Sequence, residues 1–202
     1  MNVLFLDIET VPTEESLRNS GLLEAQILLN EAEILKKLSL SAVTARILCL
    51  AYAVEPPPDS PVEVIHGSER EIIQEFWRLA GDMDLFVGHN LLDFDLRFIF
   101  QRSVIHQIRP SRDISFARYR SAPVFDTMHE WTKWGRPPIS LDLLSRALGI
   151  PSPKECLDGS KVYPYYRDGR LPEICDYCKC DVETVRQVYR RLTFASIQSP
   201  ES

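Results

Sequence analysis

MNVLFLDIET, residues 1–10, is the stretch on which the fold turns. Met1 to Leu6 is an apolar run, the pattern of a strand buried on both faces. Asp7 and Glu9 follow two residues apart. Strand side chains alternate between faces, so both carboxylates project from the same side at the strand's end. Two carboxylates held so close repel one another unless a cation sits between them. The same pattern also occurs as an ordinary polar strand end, and the pair alone does not decide between the two.

Working outward, Glu14 to Ser39 carries Leu17, Leu22, Ala25, Leu28, Leu29 and Ala32 at helical spacing. Ile47 to Val54 reads as a second strand, closed by a turn at Pro56, Pro57 and Pro58. Val62 to Ile65 is a third strand. Ser68 caps a helix running to about Leu79, and Glu71 completes its capping box. A short strand over Asp84 to Val87 leads into a helix from about Leu92 to Val104. The stretch from Ile105 to Pro123 has no clear period, and Phe125 belongs to a fifth strand. Leu141 to Leu148 is a helix ended by Gly149 and Pro151. Residues 154–170 read as loop, Leu171 to about Phe194 as a final helix, and Ser196 to Ser202 as a frayed tail. The expected class is α/β: one domain over residues 1–195, a central mixed sheet flanked by helices.

The 202 residues, 45% of them hydrophobic, suffice for a sizeable core. No apolar run approaches the roughly 20 residues of a membrane helix. Asp7 and Glu9 interrupt the apolar start before a signal-peptide core forms, which places the protein in the cytoplasm. Five cysteines at irregular spacing argue for reduced thiols rather than a disulfide framework. A net charge of −6 speaks against a protein that coats nucleic acid. It does not exclude a nuclease, because bound divalent cations reverse the local field.

Two further segments matter. Gly88-His89-Asn90 precedes Phe94-Asp95 at a helix start, where the helix dipole favours an anion. Asp93, two residues earlier, lies at the helix entrance, where capping is its natural role, as it is for Asn90. Tyr177 and Asp181 are four apart in the last helix and share a face. Each segment alone has a bland explanation. The three in order, with plausible elements between them, do not.

Together these residues resemble the 3′–5′ exonucleases of the DEDD type, in the branch whose third motif carries a tyrosine. The similarity is to stand-alone relatives of the proofreading domain of family-B DNA polymerases. Leu6-Asp7-Ile8-Glu9-Thr10, Gly88-His89-Asn90 with Phe94-Asp95, and Asp176-Tyr177 with Cys180-Asp181 carry it. Leu141-Asp142-Leu143-Leu144 and Asp158-Gly159-Ser160 support it. The resemblance implies a ribonuclease H-like fold. It also implies hydrolysis at the 3′ end of single-stranded nucleic acid, DNA favoured, and two Mg²⁺ or Mn²⁺ ions held by Asp7, Glu9, Asp95 and Asp181. Asp7 would bridge the ions, Tyr177 would orient the attacking water, and Thr10 and Asn90 would contact the substrate strand. The rival is an inactive nucleic-acid or protein binding module on the same fold. The presence of all four carboxylates and Tyr177 favours the enzyme.

Other features leave alternatives open. Between Arg97 and Arg136 eight Lys and Arg residues face three acids, with Phe116, Tyr119, Trp131 and Trp134 interleaved. That pattern fits a phosphate-tracking, base-stacking surface, and equally a solvated face with core aromatics. His89, His106 and His129 read as hydrogen-bonded structural histidines. Cys175 and Cys178 lack the second ligand pair that zinc requires, and read as small helix-packing residues. The stretch from Glu14 to Ala45 exceeds a minimal connection and is placed to overhang the cleft.

Overall fold

The first strand, β1 (Val3–Pro12), is longer than its apolar run. It does not stop at Leu6 but carries Asp7 and Glu9 in its interior, which corrects their placement at a strand end. The cause is pairing: β2 (Ala45–Glu55) runs antiparallel to the whole of β1, from Val3 opposite Glu55 to Pro12 opposite Ala45. A bulge between Glu9 and Thr10 shifts the register there, as bulges near reactive sites commonly do. Leu4, Leu6 and Ile8 enter one core, while Val3, Phe5 and Val11 enter the other. Asp7 and Glu9 share the second face.

This structure, a computed structural model, describes residues 1–20, 31–152, 157 and 159–195. Strands β3 (Glu63–His66), β4 (Leu85–Gly88) and β5 (Val124–Asp126) complete a five-stranded sheet of order β3-β2-β1-β4-β5. β4 pairs parallel with β1 and with β5, and β3 pairs antiparallel with β2. The expected mixed sheet with flanking helices is therefore observed. It is consistent with a ribonuclease H-like exonuclease fold.

The stretch expected as one helix contains α1 (Glu14–Asn19) and α2 (Glu31–Ser39); residues 21–30 of that expectation lie outside the described residues. The Thr10 hydroxyl donates to Ser39 O at 2.8 Å and ties the end of α2 to β1. One sheet face is covered by α3 (Glu69–Ala80) and α4 (Asp95–Ile105). The Ser68–Glu71 capping box is present, a motif whose cap contributes typically about 1 kcal/mol. Glu69 accepts from Ile47 N at 2.8 Å and pairs with buried Arg102 at 2.5 Å, fastening α3 to β2 and α4.

The other face is covered by α8 (Leu171–Leu192), which buries Ile174, Cys175, Cys178, Val182 and Val185. Opposite it β2 presents Cys49, Ala51 and Ala53, all small, so the helix can lie close to the sheet. Three helices complete the set: α5 (Thr127–Thr132), α6 (Leu141–Ala147) and α7 (Val162–Arg167). Neither α5 nor α7 was expected, and α7 lies in a segment read as loop. A 3-10 turn over Gly159–Lys161 precedes α7. The expected tail, residues 196–202, lies outside the described residues, as do Cys156 and Asp158.

Candidate active site

Asp7 and Glu9 point from the interior of β1 toward α8, where Asp181 sits one turn after Tyr177. One carboxylate oxygen from each of Asp7, Glu9 and Asp181 lies within 4.8 Å of the other two. Asp7 and Glu9 are half-exposed at the cleft but ringed by protein, and Asp181 is 7% exposed. Burial, then the charge of Asp181, raises the pKa of both Asp7 and Glu9 well above the usual carboxylate range. Burial raises Asp181 to about 7, against a hydrogen bond from the Tyr177 hydroxyl that lowers it. Tyr177 is itself pushed up, by burial first and then by Asp181, so its phenol stays protonated at neutral pH. Such a cluster of hard oxygen donors, short of positive charge, fits divalent cations of the Mg²⁺ or Mn²⁺ kind.

Asp95 lies outside that trio. It is the first residue of α4, 3% exposed, and its Oδ1 accepts from Ile8 N at 3.1 Å, between Asp7 and Glu9 in sequence. Its pKa is raised well above the usual range, chiefly by burial. The remaining expected contacts divide. The Thr10 hydroxyl is engaged by Ser39, while the Asn90 side chain has no hydrogen-bond partner among the described residues. Asn90 adopts φ +60°, a left-handed conformation that asparagine tolerates. It does not cap α4, whose N-terminus has no side-chain cap.

The turn that delivers Asp95 depends on two residues. A Cβ on Gly88 would lie 2.9 Å from Leu91 Cδ1 and 3.1 Å from Leu6 O, so no other side chain fits there without a shift. Asp126, 2% exposed at the end of β5, was missed by the sequence reading. Its Oδ1 accepts from Asn90 N at 2.9 Å and Met128 N at 3.1 Å, and its Oδ2 from Leu92 N at 3.0 Å. One carboxylate thus caps α5 and holds the loop before α4. The only sequence signal was an aspartate before a short polar-apolar helix.

Asp93 is corrected too. It caps nothing; it pairs with Arg118 at 2.8 Å and His129 at 3.1 Å. His89 is structural as expected, bridging Thr127 Oγ1 and Ile139 O at 2.9 Å each. The expectation of reduced thiols holds for Cys49, Cys175 and Cys178 but not for Cys180, which is disulfide-bonded. Linear spacing cannot show which thiols meet in space. Cys175 and Cys178 pack on β2 as small residues, and Cys178 Sγ donates to Asp7 Oδ2 at 3.4 Å.

A family described as predicted 3′–5′ exonucleases related to the exonuclease domain of PolB matches residues 59–198. The chain belongs to that family. It is a 3′–5′ exonuclease, and exonuclease domains of this kind use divalent metals. The matched stretch contains Asn90, Asp95, Tyr177 and Asp181. β1 lies outside it; Asp7 and Glu9 are brought beside Asp181 by geometry alone. No curated protein matches the sequence. Among the described residues no helix is long and apolar enough to cross a membrane.

Proposed function

We propose that this exonuclease shortens single-stranded nucleic acid from the 3′ end by a two-metal mechanism. DNA is favoured over RNA, in keeping with kinship to the PolB exonuclease domain. The observation that carries the reading is the convergence of one carboxylate oxygen from each of Asp7, Glu9 and Asp181 within 4.8 Å, one helical turn from Tyr177. Asp7, Glu9 and Asp181 would hold Mg²⁺ or Mn²⁺, with Asp95 supporting the second ion. Bound cations supply a lowered water pKa and charge neutralisation at the phosphate.

The chain's own residues do the rest. Tyr177 keeps its proton, which faces Asp181, and orients the attacking water through its free oxygen lone pair as an acceptor; it holds the water in place and does not ionise to act as a base at neutral pH. Asp95, tied to Ile8 N, fixes the start of α4 against the middle of β1. Asn90, with its side chain uncommitted, contacts the substrate strand. Thr10 offers its backbone to the terminal sugar, its hydroxyl being held by Ser39.

Digestion of 5′- and 3′-labelled DNA and RNA strands tests the reading. With Mg²⁺ or Mn²⁺ the 5′-labelled strand should shorten progressively, and the 3′ label should leave as mononucleotide. Chelator and Asp7→Ala should each stop the reaction, the variant remaining folded. Full activity in excess chelator, or degradation from the 5′ end, would overturn it.

A further inference from the structure

Resting on that reading, we propose that the single strand behind the 3′ terminus is held on a surface built from Tyr119, Trp134 and the free cations beside them. His129 Nε2 lies 3.1 Å from Asp93, which is two residues before Asp95. The Trp134 ring lies flat on His129, centroids 4.4 Å apart at 6°. Tyr119 follows at 5.2 Å from Trp134, tilted, and is 77% exposed. A row of rings therefore starts at the middle motif and ends in solvent. Burial does not explain its outer member.

Tyr119 and Trp134 both hold φ +63°, a conformation disfavoured for bulky residues. The surrounding chain keeps both in it, and such outliers concentrate at ligand clamps. Arg120 and Arg136, neighbours of these rings in sequence, are exposed and have no ion-pair partner among the described residues. Arg118, by contrast, is engaged at 2.8 Å by Asp93. In a chain of net charge −6, free cations beside an exposed ring that continues into a partly buried one are the pattern that receives a single strand: bases stack on the rings and phosphates meet the guanidinium groups.

The surface is tested by anisotropy with fluorescein-labelled oligothymidylate of four and twelve nucleotides, with Ca²⁺ in place of Mg²⁺. Oligouridylate of the same lengths separates DNA from RNA, and an abasic twelve-mer separates stacking from charge. The native chain should bind the thymidine twelve-mer more tightly than the four-mer or the abasic strand. Tyr119→Ala should weaken the twelve-mer by roughly ten-fold, the scale of one lost base–aromatic stack, and Tyr119→Trp should restore it. Arg120→Glu should weaken it and flatten its salt dependence. All three variants should leave hydrolysis of the p-nitrophenyl ester of thymidine 5′-monophosphate unchanged, since that substrate is too short to reach the rings. Native affinity of Tyr119→Ala for the twelve-mer, or equal binding of the abasic strand, would overturn the surface while leaving the exonuclease reading intact. Failure to cleave any strand or ester with Mg²⁺ or Mn²⁺, with length-dependent binding through Tyr119 preserved, would instead overturn the exonuclease reading alone.

Discussion

Replacing Asp181 by asparagine should stabilise the metal-free protein at alkaline pH while abolishing activity. In the native chain burial raises Asp181 to about 7 from an ordinary value of 3.8. Between those values the folded state keeps a proton that the unfolded state has released, so stability falls as pH rises through that window and levels off above it. From pH 5 to pH 7 this amounts to about 2 kcal/mol, or roughly 4–8 °C in melting temperature for a chain of this size. Asp7 and Glu9 are raised in the same direction and partly by Asp181, so neutralising it relieves them as well. Asparagine keeps an acceptor for the Tyr177 hydroxyl, which limits the structural cost. The assay is thermal unfolding in EDTA at pH 5 and pH 8, followed by circular dichroism. The native melting temperature should drop between the two relative to Asp181→Asn, and saturating Mn²⁺ at pH 8 should stabilise the native protein and not the variant. If both proteins respond to pH identically in EDTA, the three carboxylates are not the desolvated, repelling cluster described above.

Tyr177→Phe should lose on the order of 10²-fold in single-turnover rate without losing all activity, because the phenol positions water rather than activating it; an unchanged rate would leave it a packing residue with no part in the reaction. Asp95→Asn should cripple the same rate at saturating Mg²⁺ with near-native thermal stability, whereas Asp93→Asn should stay active. Its ion pairs with Arg118 and His129 are partly solvated and worth about 1 kcal/mol or less. A dead Asp93→Asn beside an active Asp95→Asn would reverse the assignment. Asp126→Ala should lower the melting temperature, since each buried N–H left without its acceptor costs about 1–3 kcal/mol. It should also slow the reaction by loosening the loop before Asp95; native kinetics and stability together would remove its role.

What the sequence disclosed was local. The β1 apolar run, the Ser68–Glu71 box, the short strand read over Asp84 to Val87 and found one residue later at Leu85–Gly88, and the Tyr177–Asp181 spacing are patterns within a few residues, and each appears in the structure. The end of β1 was misplaced because two acids look like the termination of a buried strand. They continue it only because β2 pairs with the whole of β1. Helix α7, Val162–Arg167, was hidden because a proline and three tyrosines give weak helical propensity; Tyr163 and Tyr165 hold it through packing against the α8 face of the sheet. Capping was assigned to Asp93 and Asn90 from their position before a helix. The partners that claim Asp93 lie 25 and 36 residues further along the chain.

Asp126 shows most plainly why the middle of the site was the least legible part. Its role is divided between a local job, capping α5, and a distant one, holding Asn90 and Leu92 across 36 and 34 residues. With α5 itself unexpected, neither job shows in the sequence, where Asp126 reads only as an acid following the fifth strand. In space the same carboxylate also opposes ionisation of Asp95, adding to the burial that raises it. β5 therefore does two things for the site: it fixes the turn from which Asp95 emerges, and it adds negative charge behind it. A fold that spent three buried or half-buried carboxylates on β1 and α8 alone would already be short of positive charge. Adding Asp95 and Asp126 deepens that deficit, and among the described residues Arg118 and Arg97 reach Asp93 but neither pairs with Asp7, Glu9, Asp95 or Asp181. Among the described residues no cation pairs with that cluster, and a divalent cation would supply the balancing charge, which is the physical link between the sequence motif and the use of divalent metals by exonuclease domains of this kind.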